Sequence, residues 1–249
     1  MTNATFIIRF HSKRLFNLEQ TLRIMNVWHE KTIANCSLIT ICQDKIESKI
    51  DSSKWQEHQH FDMLLTEMQL PKITNFGVDK SKTNKIVLLD DDRILPIGYF
   101  EECFSELKEG IQITPRKMHK LSKQHTDKEI LDKNYEYREE YKSSEIGCRT
   151  MWSGNVMFMK SDFMKVGGMD ESFIGYGWED TDLTMNTEKN GIKSVYKENH
   201  TELHLWHEPL TYGAADPDKL FISNGVKFCK KWNKPLPQII REKMPKIMI

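Results

Sequence analysis

Lys85-Ile86-Val87-Leu88-Leu89-Asp90-Asp91-Asp92 is the stretch that decides the fold of this 249-residue chain. Its continuous aliphatic run is typical of a strand that is buried on both faces of a parallel sheet. Three acids follow directly, and open α/β sheets bind their ligands at the carboxyl ends of their strands. The sequence therefore predicts an α/β fold whose functional site includes Asp90, Asp91 and Asp92.

Strand and helix patterns alternate on both sides of this stretch without a break in composition, which indicates one α/β domain. Apolar, β-forming runs predict strands at residues 6–10, 37–42, 85–89, 111–114, 154–159, 194–196 and 202–206. Apolar spacing and capping signals predict helices near residues 17–31, 97–107, 161–166, 179–190 and 221–232. Residues 55–67 are predicted to be helical or irregular, and the chain is expected to fray through the prolines after residue 232.

The composition excludes some classes of protein. Lys plus Arg number 36 and Asp plus Glu number 36, so the formal net charge is zero and a dedicated nucleic-acid binder is disfavoured. No apolar run approaches the roughly 18 residues that a transmembrane segment needs, and the N-terminus lacks a signal-peptide pattern. Five scattered cysteines without a CxxC pair indicate reduced thiols. The prediction is a cytoplasmic protein without a nucleic-acid partner.

The segment 116–144 differs from the rest of the chain, because it is dense in Lys, Glu, Asp and Tyr and poor in aliphatic residues. Such a segment is typically a solvated helix or a flexible loop, and this interpretation is preferred. The alternative is an insertion that contacts an acceptor or a partner.

Three adjacent carboxylates repel one another, since two unit charges about 4 Å apart interact by roughly 4 kcal/mol at an effective dielectric constant of about 20. A divalent cation offsets this repulsion, and oxygen ligands suit Mg²⁺ or Mn²⁺. The alternative is an exposed acidic turn whose charges are screened by water. Because the acids follow four consecutive aliphatic residues, the metal interpretation is preferred.

Glycines and aromatic residues alternate in Gly175-Tyr176-Gly177-Trp178, immediately before the acids Glu179, Asp180 and Asp182. Glycine permits a ligand to approach the backbone closely, and aromatic faces pack on sugar rings. The acids could serve only as favourable charges at the start of a helix. That alternative does not explain the preceding glycines and aromatic residues.

Two histidines stand in the tetrapeptide His204-Leu205-Trp206-His207. An i,i+3 pair on a strand points to opposite faces, but at a strand end both imidazoles can reach one ion. A metal site and an ordinary structural role are equally supported for this pair.

These clusters, in this order, resemble the GT-A glycosyltransferases, and most closely the β1,4-galactosyltransferase and chondroitin-synthase type with its galactosyltransferase-like domain. Arg9-Phe10-His11-Ser12-Lys13-Arg14 corresponds to the family's Pro-Phe-Arg-x-Arg but lacks its proline and first arginine. Lys72-Ile73-Thr74-Asn75-Phe76-Gly77 matches Lys-x-x-Asn-x-Gly, and Asp90-Asp91-Asp92 matches Asp-x-Asp. Residues 175–180 match Gly-Trp-Gly-Gly-Glu-Asp with Tyr and Trp at two differing positions, and His204 and His207 fall on the later metal-binding segment.

The resemblance implies a GT-A fold with a Rossmann-like nucleotide-binding half. This half has a central mixed, mostly parallel sheet flanked by helices, and it is continuous with an acceptor-binding half. The expected organisation is a single domain over residues 1–249. Its parts are the nucleotide-sugar half 1–115, the charged insertion 116–144, the acceptor and catalytic half 145–210 and the tail 211–249.

The implied reaction is an inverting transfer of a sugar, Gal, GalNAc or a related hexose, from a UDP-sugar to a hydroxyl of a glycan or glycoconjugate. The resemblance assigns Mn²⁺ or Mg²⁺ to Asp92, His204 and His207, with Asp92 as a direct ligand. It assigns the nucleotide-sugar to Phe10, His11, Arg14, Asp44, Lys72, Asn75, Asp90 and Asp91.

On the acceptor side the resemblance assigns the general base to Asp180 and acceptor binding to Glu179. Tyr176, Trp178 and Trp152 are candidates for stacking on sugars, and a core role for Trp152 is an equal alternative. Two rival functions are a metal-dependent phosphoesterase and a catalytically inactive binding module for a carbohydrate or a nucleotide-sugar. The first is disfavoured because no HxD or HExxH pattern is present, and the second because both the base and the metal ligands are present.

Overall fold

The computed structural model describes residues 3–123, 142–147, 154–208 and 217–247. Within these ranges, nine strands form one sheet. They are β1 (Thr5–Phe10), β2 (Ser37–Cys42), β3 (Glu57–Asp62), β4 (Lys85–Asp90), β5 (Arg93–Ile94), β6 (Ile111–Leu121), β7 (Lys142–Gly147), β8 (Asn155–Met159) and β9 (Lys193–His204). Their order across the sheet is β3-β2-β1-β4-β8-β6-β9-β5, and β7 pairs with β6.

Helices cover the sheet, and a single 3₁₀ turn, Ser12–Arg14, follows β1. The helices are α1 (Leu15–Trp28), α2 (Glu30–Ile33), α3 (Leu70–Lys80), α4 (Tyr99–Glu106), α5 (Lys160–Lys165), α6 (Glu179–Lys189), α7 (Pro217–Lys231) and α8 (Gln238–Ile247). The predicted α/β class and mixed sheet are therefore confirmed. None of the helices in the described ranges combines the length and the apolar composition needed to cross a bilayer.

The strands β3, β2, β1 and β4 run parallel and form the first half of the sheet. Their order is that of a Rossmann-like unit, because β1 lies between β2 and β4. In such a unit the carboxyl ends of the strands meet at one edge. The segments that follow β1, β2 and β4 are therefore brought together there, and Arg9 of β1 lies opposite Asp90 of β4.

The second half of the sheet is mixed. Strand β8 runs antiparallel to both β4 and β6, whereas β6 and β9 are parallel. The short strand β5, which follows the three acids, pairs antiparallel with the end of β9 and places Arg93 opposite His204. This pairing brings the histidine tetrapeptide to the acidic cluster.

The core lies on both faces of the sheet, because alternate residues of the parallel strands point to opposite sides. Phe6 and Ile8 of β1 pack on one side with Phe100 of α4. Ile7 points to the other side, where it packs with Ile73 of α3. This two-sided burial accounts for the uninterrupted apolar runs in the sequence.

Four local predictions are wrong. Residues 57–62 form β3 rather than a helical or irregular stretch, and β6 continues to Leu121, beyond the predicted start of the charged segment at residue 116. The two short strands predicted between 194 and 206 are one strand, β9, and the frayed tail contains α8. Backbone pairing decides the first two cases: β3 pairs with β2 although none of its side chains is fully buried, and β6 pairs with β9.

Candidate active site

A cavity of about 510 Å³ opens at the carboxyl edge of the parallel strands. The residues that follow β4 and β9 line one part of it, and the segment at the start of α6 lines another. Its volume is within the range of about 300–1,000 Å³ that is usual for small-molecule sites. The cavity therefore joins the three clusters that the sequence singled out.

Asp92, His204 and His207 form a compact group, since one ligand atom from each lies within 4.8 Å of the others. Oδ2 of Asp92 is 3.1 Å from Nε2 of His207 and 3.7 Å from Nε2 of His204. The backbone amide of Leu205 donates to the carbonyl of Asp92 at 2.9 Å, which fixes the two segments to each other.

This set of donors fits a divalent metal ion, because carboxylate oxygens and imidazole nitrogens are both ligands of such ions in proteins. Burial raises the pKa of Asp92, but the neighbouring histidines, which are protonated at the low pH where this carboxyl titrates, and the arginines lower it by more, so that the net pKa lies well below its usual range. The pKa of His204 falls to about 4, mainly through burial, so this imidazole is neutral near pH 7 and can act as a ligand.

Asp90 is held by an arginine that the sequence analysis did not identify. Nη2 of Arg9 donates to Oδ1 of Asp90 at 2.6 Å, and Nη1 donates to Oγ1 of Thr74 at 2.8 Å. Arg9 is buried and also lines the cavity. A charged residue inside the apolar strand Thr5–Phe10 was the available signal, because a buried charge needs a partner.

Asp91 and Asp92 share a second arginine, Arg14, whose Nη1 lies 3.5 Å from Oδ1 of Asp91 and 3.0 Å from Oδ2 of Asp92. Burial, and after it the neighbouring charge of Asp92, raises the pKa of Asp91 well above its usual range. The acidic cluster is therefore a buried group compensated by arginines, and it is not the exposed turn considered as the alternative.

In another part of the cavity lining, α6 begins at Glu179 after Trp178, whose backbone is left-handed with a φ of 78°. Asp180 lines the cavity in the first turn of this helix, where the helix dipole favours a negative charge. Glu179 is only 5% exposed. Burial, and after it the charge of Asp180, raises the pKa of Glu179 to about 8, so its carboxyl is neutral near pH 7.

The loop before α6 packs against helix α7, which precedes the last helix, α8. A Cβ at Gly175 would lie 2.6 Å from Cδ1 of Leu220, and one at Gly177 would lie 2.5 Å from Cδ2 of Phe221. Both glycines also have positive φ angles, 82° and 94°. Phe221 lines the cavity and stacks on the exposed ring of Tyr176 with a centroid distance of 6.3 Å. The sequence analysis did not identify Phe221 as a site residue.

Three nucleotide-site candidates near β1 lie at the cavity edge or beside it. Phe10 and His11 line the cavity. Asp44 does not line it but accepts from the backbone amide of Ser12 at 2.8 Å and lies 3.5 Å from Nδ1 of His11. Asp44 therefore fixes the segment after β1.

Two further candidates, Lys72 and Asn75, do not line the cavity. Lys72 is exposed on α3. Asn75 joins α3 to the loop after α5, because its Nδ2 donates to the carbonyl of Met169 and its Oδ1 accepts from the amide of Met169, each at 2.9 Å. The remaining candidate, Trp152, is outside the described residues.

Comparisons with known proteins agree with this arrangement. Residues 134–207 match the family described as the N-terminal domain of galactosyltransferase. No curated protein matches the chain. Among solved structures, GalNAc-T7 with UDP, GalNAc and Mn²⁺ superposes with a TM-score of 0.65 at 12% identity, covering 92% of this chain and 47% of that one. The chain has the GT-A glycosyltransferase fold.

Two other glycosyltransferases of this fold are also similar. S. aureus TarS superposes with a TM-score of 0.59 at 10% identity, covering 95% of this chain and 41% of TarS. The catalytic domain of Drosophila β1,4-galactosyltransferase 7, in complex with xylobiose, gives a TM-score of 0.51 at 13% identity, covering 88% of this chain and 79% of that one. The chain spans less than half the length of GalNAc-T7 and TarS. The predicted resemblance to GT-A glycosyltransferases is confirmed.

Proposed function

We propose that this chain is a metal-dependent, inverting glycosyltransferase that moves a hexose, such as Gal or GalNAc, from a UDP-sugar to a hydroxyl of a glycan or glycoconjugate. One observation carries the proposal: a single cavity contains the Asp92, His204 and His207 group and also the acids Glu179 and Asp180. A sugar transferase needs both, one for the leaving diphosphate and one for the attacking hydroxyl. UDP, GalNAc and Mn²⁺ accompany the similar GalNAc-T7 structure.

Asp92, His204 and His207 would hold Mn²⁺, which when bound offsets the negative charge that grows on the departing diphosphate. Mg²⁺ is usually bound through carboxylates, waters and phosphates, so two imidazoles favour a transition-metal ion such as Mn²⁺ over Mg²⁺ for this site. Arg14, which contacts two of the three acids, would help to bind the same diphosphate, because a guanidinium binds phosphate oxygens in a bidentate manner.

Asp90 and the segment after β1 would bind the nucleoside and the donor sugar. Arg9 fixes one carboxylate oxygen of Asp90, so the orientation of this side chain is set before the donor arrives. Phe10 and His11 line the same side of the cavity, and Asp44 holds the backbone beside them. Such preorganisation reduces the entropic cost of binding.

Asp180 would accept the proton of the attacking hydroxyl as the sugar is transferred, with inversion at the anomeric carbon. Glu179 would be neutral at this stage and would therefore donate a hydrogen bond to a sugar oxygen, a task that an ionised carboxylate cannot perform. Tyr176 and Trp178 would offer aromatic faces to the acceptor.

The test is UDP release from a panel of UDP-hexoses with glycan acceptors, in Mn²⁺, in Mg²⁺ and in EDTA. We expect turnover with one UDP-hexose in Mn²⁺, none in EDTA, and a product of inverted anomeric configuration by NMR. Full turnover in EDTA would remove the metal from the mechanism. Retention of configuration would remove Asp180 as a base that acts opposite the leaving group.

A further inference from the structure

Arg93 is the first residue after the three acids, and its side chain is buried with 7% exposure. Its Nε lies 3.2 Å from Oδ1 of Asp92, and its Nη1 lies 3.2 Å from Oε1 of Glu202. Glu202 is itself 3% exposed and accepts at Oε2 from Nδ2 of Asn155 at 2.9 Å. These side chains join β5, β8 and β9 behind the metal-ligand group.

The two oxygens of Asp92 have different surroundings. Oδ1 is the oxygen that Arg93 contacts, whereas Oδ2 accepts from Nη1 of Arg14 at 3.0 Å and is 3.1 Å from Nε2 of His207 and 3.7 Å from Nε2 of His204. The two oxygens of an ionised carboxylate are chemically equivalent, so the metal site depends on the plane of the carboxylate and not on which oxygen faces the histidines. Arg93 beside one oxygen and Arg14 beside the other oppose rotation of the carboxylate out of this plane.

The same arginine also acts on the strand that carries the histidines. Arg93 lies opposite His204 in the pairing of β5 with β9, and its partner Glu202 is two residues before His204 on β9. Residues i and i+2 of a strand point to the same face. The Arg93–Glu202 pair therefore fixes the end of β9 at the position where His204 meets Asp92.

We propose that Arg93, held by Glu202 and Asn155, is a positioning residue that orients Asp92 so that Oδ2 and the imidazoles of His204 and His207 converge on one metal ion. This inference rests on the metal site of the proposed function. Residues that hold metal ligands by hydrogen bonds commonly change metal affinity by 10- to 100-fold when they are replaced. Arg93 lines the cavity, but the role proposed here acts through Asp92.

The experiment must separate a loss of Asp92 orientation from a loss of folding stability, and it does so by comparing a single variant with a double variant. Arg93→Met removes the guanidinium and leaves Glu202 buried without its cation, so this variant is expected to lose stability. Arg93→Met with Glu202→Gln removes both charges, and the Gln retains a side-chain oxygen for Asn155. We expect this double variant to regain most of the melting temperature lost by Arg93→Met.

Metal affinity is measured with Mn²⁺ alone, by titration calorimetry and by the EPR signal of free Mn²⁺. We expect the double variant to bind Mn²⁺ at least about 10-fold more weakly than the wild type although it is folded. Arg93→Lys keeps the charge but loses the planar fork, and we expect an intermediate affinity. Arg116→Met is the matched control, because Arg116 also pairs with a glutamate of β9, Glu198 at 3.7 Å, but is 36% exposed.

A folded double variant that binds Mn²⁺ within about three-fold of the wild type would overturn the positioning role and leave the metal site intact. An equal loss of affinity in Arg116→Met would also overturn it, because the effect would not be specific to Arg93. A wild-type chain that binds no Mn²⁺ would overturn the metal site of the proposed function, and this inference with it.

Discussion

Replacing Glu179 by Gln should change how the stability of the protein depends on pH. In the unfolded chain this carboxyl ionises near its ordinary pKa of 4.5, whereas burial and the charge of Asp180 raise its pKa in the folded protein to about 8. Between these values the folded protein retains a proton that the unfolded chain has released. The free energy of unfolding therefore falls as pH rises through this window.

Each pH unit within the window costs at most about 1.4 kcal/mol, so the step from pH 5 to pH 7 amounts to about 3 kcal/mol. In the Glu179→Gln variant this side chain does not ionise, so the variant's free energy of unfolding does not fall by this amount. Relative to the wild type, the variant should gain about 3 kcal/mol between pH 5 and pH 7. For a chain of this length this corresponds to a relative gain of about 5 to 10 °C in melting temperature.

Urea unfolding and calorimetry of both proteins at pH 5, 6, 7 and 8 measure this difference. Glu188→Gln is the matched control, because Glu188 is exposed on the same helix, and we expect it to change stability by less than about 0.5 kcal/mol at each pH. A difference between Glu179→Gln and the wild type that stays constant from pH 5 to pH 8 would refute the reasoning.

Four further substitutions test the rest of the site. Asp180→Asn should lower sugar transfer by about 100-fold with UDP-sugar and Mn²⁺ affinities unchanged, and normal transfer in this variant would exclude Asp180 as the base. His204→Ala and His207→Ala should each weaken Mn²⁺ binding measured by calorimetry, with the larger loss at His207, whose Nε2 is nearer to Asp92. Wild-type affinity in both would make these histidines structural. Gly177→Ala should lower the free energy of unfolding by about 2 to 4 kcal/mol, because the residue has a φ of 94° and its Cβ would meet Phe221. Unchanged urea stability would show that α7 moves aside without cost.

The parallel half of the sheet could be predicted from the sequence because its strands are buried on both faces. The predicted strand at residues 37–42 coincides with β2, and the run before Asp90 became β4 with one additional residue. Strand β3 could not be predicted in the same way. Its residues, such as His58 and His60, are polar, and it exists because its backbone pairs with β2.

The site was predictable where its residues are consecutive in the sequence, as in the three acids and the segment 175–182. It was not predictable where distant segments meet. Arg9 reaches Asp90 through strand pairing, and Phe221 reaches the glycine loop through the packing of α7. Within the Lys-x-x-Asn-x-Gly match, a Cβ at Gly77 would lie 2.6 Å from Cγ2 of Ile7, and Nδ2 of Asn75 donates to the carbonyl of Met169, so both residues hold α3 in place.

The contact of α7 with the glycine loop bears on the order in which the candidate site becomes complete during synthesis. Strands β1 to β4 all lie before residue 91, so this parallel half of the sheet can begin to form while the ribosome is still translating the remainder. The loop at Gly175 and Gly177 can pack against α7 only after Leu220 and Phe221 have left the ribosome. A chain cleaved between His207 and α7 would keep Asp92, His204 and His207 but would lack the helix that packs on the glycine loop.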